Sequence, residues 1–156
     1  MPDQPGKLDE LLFILGDIYE NRLPFNRILG LHIISLKPDL VKVAFEMTDS
    51  LIGNYVQGSL HGGVISSVLD AVGGLTATAG MIQKKVDQPK EEIAQNIARV
   101  GTIDLRVDYL RPGKGGSFTS SASIMRIGKK VAVTRMELHN DQDRLIAVGT
   151  GTYLIA

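Results

Sequence analysis

Hydrophobic and polar positions follow a helical period in the first half of the chain. Apolar residues near the N-terminus predict a first helix, which Pro24 ends. Its apolar positions are Leu8, Leu11, Leu12, Leu15, Ile18 and Tyr19. A second apolar stripe predicts a long core helix entered through His61-Gly62-Gly63. Its members are Val64, Val68, Val72, Leu75 and Ala79.

The other apolar runs are predicted strands. They cover residues 29–36, 40–47, 100–110, 117–127, 130–139 and 144–155. Lys37-Pro38-Asp39 joins the first two runs as a hairpin, and a short helix is expected after Pro89. We expect the last four strands to pair in chain order as an antiparallel meander. One long apolar helix on one face of that sheet predicts an α+β fold.

Length and composition restrict the class of protein. The chain has 156 residues, of which 44% are hydrophobic and 22% charged, as in a globular chain with one core. We divide it into an N-terminal helix extension, residues 1–24, and a main domain, residues 25–156. Seventeen basic residues balance seventeen acidic ones, which argues against a nucleic-acid binder.

The sequence contains no cysteine, which excludes disulfides, thiolate metal sites and a cysteine nucleophile and suits a cytoplasmic protein. The longest apolar stretch, residues 64–82, contains Asp70, two serines and a glycine pair. It therefore predicts a buried helix and no membrane anchor.

The His61-Gly62-Gly63 entry to the long helix is one candidate for chemistry. A helix N-terminus presents unpaired N–H groups and the positive end of the helix dipole, so it can polarise a carbonyl or hold an anion. Glycine allows a ligand to approach the backbone closely. A glycine-rich turn into a core helix explains the same residues, and spacing alone leaves both interpretations open.

Asp70, in the middle of the apolar helix, is the second candidate. A carboxylate there is costly unless it is hydrogen-bonded. Serine or backbone donors could satisfy it, or it could act as a base or nucleophile in a cleft. Gly62 and Asp70 are eight positions apart, about 12 Å along one helix. If both contact one substrate carbonyl, two copies of the chain must supply them, and a direct His61–Asp70 pair within one chain is disfavoured.

Other combinations of residues give weaker evidence for a functional site. His32, His61 and His139 lack the spacing of metal ligands, so we predict no metal site. No nucleophile-elbow motif surrounds a serine. Basic residues at the strand ends are either solvated or bind the phosphates of a nucleotide-bearing substrate. They are Arg111, Lys114, Arg126, Lys129 and Lys130.

The segment from Asn54 to Gly63, followed by Asp70, resembles the hotdog-fold acyl-CoA thioesterases of the PaaI type. Their signature is a glycine and HGG, then an acid nine positions after the histidine, which is Asp70 here. The resemblance covers residues 25–156. It continues through 101–112, 126–129 and 147–153.

The resemblance implies a long central helix wrapped by an antiparallel sheet, in a dimer or tetramer whose active site lies at the dimer interface. It implies that the Gly62 N–H is the oxyanion donor and that Asp70 of the partner chain is the nucleophile or general base. Thr102 matches a position where relatives place a hydroxyl. The catalytic candidates are therefore Asp70, Gly62, Asn54, Gln57, His61 and Thr102; Asn54 and Gln57 flank Tyr55, which stands where relatives carry an amide.

The substrate-binding candidates are Gly63, Ser67, Arg111, Lys114, Arg126 and Lys129. The expected reaction converts an acyl-CoA to free acid and CoA without a metal or other cofactor. Aliphatic pocket positions favour medium- to long-chain fatty acyl groups, and thus a role in fatty acid metabolism. Two alternatives are a hotdog hydratase or dehydratase and a non-catalytic acyl-CoA-binding or sensing module.

Overall fold

The computed structural model describes residues 6–156, so the first five positions of the predicted N-terminal extension lie outside the described residues. The helices are α1 (Lys7–Asp17), α2 (Pro24–Leu29), α3 (Gly62–Lys84) and α4 (Lys90–Ala98). The strands are β1 (His32–Leu36), β2 (Leu40–Glu46), β3 (Ile52–Asn54), β4 (Ser59–Leu60), β5 (Gly101–Tyr109), β6 (Ser117–Ile127), β7 (Val131–Asn140) and β8 (Leu145–Leu154).

Six strands form one antiparallel sheet in the order β1-β2-β6-β7-β8-β5. The predicted hairpin of β1 and β2 is confirmed, as is the pairing of β6, β7 and β8 in chain order. The prediction that β5 pairs next to β6 is wrong. Strand β2 already occupies that edge of β6, so β5 pairs with the free edge of β8, from Gly101 opposite Leu154 to Tyr109 opposite Ala147. Strand β5 is therefore an edge strand.

The first segment differs from its prediction at Pro24. A π-helical turn, Ile18–Arg22, follows α1, and Pro24 then opens α2 at the first helical position, where its missing N–H is not needed. Gly30 ends α2 in a left-handed conformation with φ 69°. The strand predicted from residue 29 consequently begins at His32.

Helix α3 is the centre of the core. Four of the five predicted stripe residues are buried (Val68, Val72, Leu75 and Ala79), whereas Val64 is half-buried. Burial extends beyond the stripe, because every residue from Val72 to Ile82 is buried. The sheet covers one side of α3, and leucines of α1 and α2 join the same core.

The apolar length of α3 has a structural explanation. On length and composition this helix could cross a membrane, but 78% of its most apolar window is buried inside the protein. The expectation of a buried helix is confirmed. A long helix wrapped by an antiparallel sheet is the hotdog arrangement, so the predicted α+β fold is confirmed as well.

The glycine pair in α3 makes room for the Tyr153 ring. A methyl group at Gly73 would overlap the Tyr153 hydroxyl oxygen, and one at Gly151 in β8 would overlap the ring itself. At Gly74 the nearest Tyr153 atom would lie 3.4 Å from the added carbon. Each helical glycine costs about 1 kcal/mol relative to alanine, so this close packing compensates for a weaker helix.

We expect Gly73→Ala to lower the free energy of unfolding by about 1–3 kcal/mol, the usual cost of overpacking a core. Gly16→Ala is the matched control. Gly16 also lies in a helix, but an added methyl there meets only Leu36 and Ile33, at ordinary contact distances of 3.5 and 3.6 Å. That variant should gain up to about 1 kcal/mol from helix propensity. Urea unfolding measures both, and equal effects of the two substitutions would contradict the packing explanation.

Candidate active site

The N-terminus of α3 leaves one backbone donor free. His61 is its N-cap, and the His61 Nδ1 atom accepts the Gly63 N–H at 2.8 Å. The N–H groups of Val64 and Ile65 donate to the His61 carbonyl at 2.9 and 3.2 Å. The Gly62 N–H donates to no atom within residues 6–156. It therefore lies unpaired at the positive end of a 23-residue helix.

Neighbouring elements hold this donor in place. The Tyr109 hydroxyl at the end of β5 donates to the Gly62 carbonyl at 3.1 Å. Two backbone hydrogen bonds fix the residues before Gly62. The His61 N–H donates to the Leu51 carbonyl and the Leu60 N–H donates to the Gly113 carbonyl, both at 2.9 Å. The direction of the Gly62 N–H is thus set by tertiary contacts.

The Asp70 carboxylate is hydrogen-bonded through one oxygen. Its Oδ1 atom accepts the Thr102 hydroxyl at 2.9 Å and the Tyr153 hydroxyl at 3.2 Å. The Tyr153 hydroxyl also lies 3.1 Å from the Asp70 carbonyl. Within the described chain the Oδ2 atom accepts no hydrogen bond, and it is not among the buried unpaired atoms. One carboxylate oxygen is anchored and the other is accessible.

Asp70 lies on the wall of a cleft of about 230 Å³. Four parts of the chain form this cleft: the segment from Tyr19 to Asn26, one face of α3, the start of β5 with the residue before it, and the end of β8. Its lining residues are Tyr19, Leu23, Phe25, Asn26, Ser67, Asp70, Ala71, Gly74, Val100, Gly101, Thr102 and Tyr153. The N-terminal extension thus contributes apolar side chains directly beside the carboxylate.

Two tyrosines beside Asp70 resist ionisation. Burial, and next the negative charge of Asp70, raise the pKa of the Tyr153 phenol far above its ordinary value near 10. Burial also raises the pKa of Tyr19, although a hydrogen bond with Thr78 opposes that rise. Tyr153 therefore stays protonated at neutral pH and can donate to Asp70.

The serines near Asp70 do not satisfy its carboxylate. Ser66 and Ser67 both donate to the Gly63 carbonyl, at 3.1 and 2.6 Å, one turn nearer the helix start. Ser67 still lines the Asp70 cleft. The interpretation of Asp70 as a structural acid held by serine donors is therefore wrong for this chain, because Thr102 and Tyr153 supply the donors.

The amide candidates lie apart from Asp70 within one chain. Asn54 Oδ1 accepts the Gln57 N–H at 3.1 Å, which closes the turn between β3 and β4. Tyr55 and Val56 at the tip of that turn are 91% and 79% exposed. Neither Asn54 nor Gln57 is hydrogen-bonded to Gly62 or Asp70 in residues 6–156. The tip of this turn is therefore exposed to solvent within one chain.

The basic candidates form two groups at opposite ends of the sheet. Arg111 and Lys114 line a cleft of about 400 Å³ with Arg144, beyond the end of β5. Arg126 and Lys129 line a cleft of about 460 Å³ at the turn between β6 and β7. The strands between them have ten or eleven residues, or roughly 33 Å at 3.3 Å per residue, so the two groups cannot bind the same phosphate within one chain.

Gly62 and Asp70 occupy the same helix, eight positions apart. The rise of an α-helix separates them by about 12 Å, as expected from spacing. Among residues 6–156, no group of three or more histidine, aspartate or glutamate side chains could hold a metal ion.

Two residues that contact Gly62 or Asp70 were not predicted from the sequence: Tyr109 and Tyr153. Tyr109 has no local signal, since only the packing of β5 against the start of α3 gives it a role. The available signal for Tyr153 was indirect. A glycine pair inside a helix weakens it, and the structure shows that both glycines pack against the Tyr153 side chain.

Comparison with known proteins identifies relatives over nearly the whole chain. The thioesterase superfamily model matches residues 57–147. The medium/long-chain acyl-CoA thioesterase YigI of Escherichia coli K12 is 41% identical over 147 residues, which cover 94% of this chain and 95% of that protein. Its Salmonella typhimurium counterpart of the same name is 42% identical with the same coverage.

Solved structures agree with the fold. A Shewanella oneidensis protein related to the thioesterase superfamily superposes with a TM-score of 0.93 at 47% identity. The match covers 98% of this chain and 100% of that one. A thioesterase of Haemophilus influenzae, 19% identical, has a TM-score of 0.71 over 92% of this chain and 88% of that one, which supports the fold alone.

The raised pKa of Tyr153 predicts a loss of stability in alkali. Above about pH 10 the unfolded chain releases the phenol proton while the folded chain retains it, so the free energy of unfolding falls as pH rises. Tyr19, beside it, acts in the same direction. Urea unfolding at about pH 8 and about pH 11 should show a smaller decrease in Tyr153→Phe than in wild type. Tyr55→Phe at the exposed turn is the matched control, and an unchanged decrease in Tyr153→Phe would refute the assignment.

Proposed function

This chain belongs to the thioesterase superfamily, and on that premise we propose that it hydrolyses medium- to long-chain acyl-CoA to the free acid and CoA. The observation that carries the proposal is the accessible Asp70 Oδ2 in a cleft lined by both apolar and polar side chains. Leu23, Phe25, Ala71 and Val100 supply the apolar surface in this cleft against which an acyl chain would pack. The names of the Escherichia coli and Salmonella relatives support the same chain lengths.

The Gly62 N–H is the oxyanion donor in this proposal. Attack on a thioester carbonyl moves negative charge onto its oxygen, and a fixed donor at a helix N-terminus stabilises that charge. Gly63 cannot supply this donor, because its N–H is held by His61 Nδ1. His61 acts as the N-cap that orients the donor, and the missing side chains of Gly62 and Gly63 let the substrate approach.

Asp70 acts through Oδ2, either as a general base or as a nucleophile. As a general base, Oδ2 takes a proton from water while the water oxygen bonds to the carbonyl carbon; the C–S bond then breaks and the CoA thiolate takes up a proton. As a nucleophile, Oδ2 itself bonds to the carbonyl carbon and expels the thiolate, and water then hydrolyses the anhydride. Thr102 holds the other oxygen in both routes.

The proposed site needs two chains. The 12 Å between Gly62 and Asp70 exceeds the reach of one carbonyl group, so the donor of one protomer faces the carboxylate of its partner. Strand β5 is the edge where the second copy would pair. It carries exposed Ile103 and Tyr109, at 57% and 53%, along an unpaired ladder of backbone groups. In this proposed dimer, or in a tetramer built from such dimers, an Asn54 or Gln57 amide would lie beside the carboxylate of the partner chain.

CoA would lie along the outside of the subunits. Arg111 and Lys114 follow Tyr109, which contacts Gly62, so this basic group lies on the donor side of the site. Arg126 and Lys129 form the second candidate surface for the phosphates. The proposed reaction needs neither a metal nor another cofactor, since a carboxylate and a backbone donor suffice. A cytoplasmic location rests on the lack of cysteine in the sequence.

Asp70→Asn should reduce kcat at least about a hundredfold, because the amide is neither base nor nucleophile. Its carbonyl oxygen still accepts hydrogen bonds from Thr102 and Tyr153, so the fold should persist. The assay is thiol release from short-, medium- and long-chain acyl-CoA and from phenylacetyl-CoA, with thermal unfolding as the control. If both proteins bind acyl-CoA and neither releases thiol, the chain is a binding module.

Gly62→Pro should remove the oxyanion donor and little else. Gly62 is the first helical residue, where proline is favoured, and His61 before it has φ −62° and ψ 137°, which a following proline permits. We expect a loss in kcat of about 10²-fold or more. Gly62→Ala keeps the N–H and adds a methyl in ordinary contact with Tyr109, at 3.5 Å. It measures the effect of bulk alone, and equal losses in the two variants would reject the role of the donor.

Mixing the Gly62→Pro and Asp70→Asn chains tests the shared site. After random exchange about half of the dimers are mixed, and each mixed dimer holds one intact site of two, so activity should recover to about a quarter of wild type. No recovery, although exchange is demonstrated by tagged chains, would mean that each site forms within one chain.

A further inference from the structure

Tyr153 is the most deeply buried contact of the Asp70 carboxylate, on the inner wall of the same cleft. It is 1% exposed, and its hydroxyl lies 3.2 Å from Asp70 Oδ1 and 3.1 Å from the Asp70 carbonyl. One phenol therefore contacts both the side chain and the backbone of the same residue. Thr102 approaches Oδ1 from the exposed edge strand. The two donors hold Oδ1 from a buried side and an exposed side.

Three glycines make this position of the phenol possible. A side chain at Gly73 would overlap the Tyr153 hydroxyl, and one at Gly151 would overlap the ring. Gly74 is packed against the ring edge. Two of these glycines lie within the core helix, where alanine would form a more stable helix. The close approach of the Tyr153 hydroxyl to the middle of α3 therefore costs helix stability.

A phenylalanine would fill the same core space without a buried hydroxyl. A buried phenol requires a hydrogen-bond partner and offers the core little that a phenyl ring lacks. In this chain the partner is the carboxylate of the proposed reaction. Thr102 alone would leave that carboxylate free to rotate about its contact with the edge strand.

We propose that Tyr153 is a positioning residue that fixes the Asp70 carboxylate, with Oδ1 anchored and Oδ2 presented to the thioester. This inference rests on the proposed function. In this role Tyr153 forms no bond with the reacting atoms and transfers no proton. It acts through Asp70, and the Gly73-Gly74 pair with Gly151 is the cradle that places it.

The test is Tyr153→Phe, assayed by thiol release with short-chain and long-chain acyl-CoA. Loss of a hydrogen bond to a charged group should lower kcat about tenfold or more, by the same factor for both substrates. KM should stay within about twofold, because the substitution leaves the ring and the apolar residues proposed to contact the acyl chain in place. Ser120→Ala, which removes a buried hydroxyl that donates to the Glu137 carbonyl in the sheet, is the matched control and should keep the wild-type kcat.

A purely structural role predicts a different pattern. Tyr153→Phe would then change the unfolding midpoint or the KM for long chains while kcat of the folded fraction stayed at the wild-type value, and that result would overturn the inference. Assays well below the unfolding transition separate the two patterns. Gly73→Ala is the second variant, because it keeps the hydroxyl and displaces it, and it too should lower kcat for both substrates.

The inference and the proposed function fail in different ways. Wild-type kcat in Tyr153→Phe, together with an inactive Asp70→Asn, rejects the positioning role and leaves the thioesterase intact. No thiol release by wild type rejects the proposed function and, with it, the role of Tyr153 in that reaction.

Discussion

The burial of α3 on all sides is the constraint on which the rest of the structure depends. From Val72 to Ile82 every residue of this helix is buried, so no polar face remains for solvent. One flat sheet covers only one side of a helix, which is why the six strands wrap around it and α1 and α2 cover the remainder. Polar side chains in this stretch must find partners inside the fold, and Thr76 and Thr78 do so by donating to the carbonyls of Val72 and Gly74, both at 2.7 Å.

The site is built where that burial ends. At its N-terminus α3 emerges from the sheet, so the Gly62 N–H is reachable while His61, Tyr109 and Leu51 hold the adjoining backbone. Eight residues further on, the helix is half covered, and Asp70 has one oxygen anchored and one accessible. A backbone donor and a carboxylate thus lie on one rigid element, which keeps their separation constant and leads to the proposed sharing between two chains.

The packing around Tyr153 connects stability with the proposed chemistry. Glycines weaken α3 and β8, but they admit a ring whose hydroxyl reaches Asp70. Burial and the charge of Asp70 raise the pKa of that hydroxyl, so it remains a donor. The N-terminal segment has a similar double role, because α1 and α2 complete the core while Tyr19, Leu23 and Phe25 line the cleft beside the carboxylate.

The sequence by itself determined the long helix, the β1–β2 hairpin, the three-strand meander and the positions of Gly62 and Asp70, because these depend on local periodicity and spacing. It did not determine the place of β5, since strand order depends on which sheet edge is already occupied. It predicted a carboxylate in need of donors at Asp70, and the family resemblance pointed to Thr102, whose hydroxyl donates to Oδ1. The second donor, Tyr153, lies 83 positions further along the chain and was not predicted. A contact over such a distance has no local pattern, so only the tertiary structure decided it.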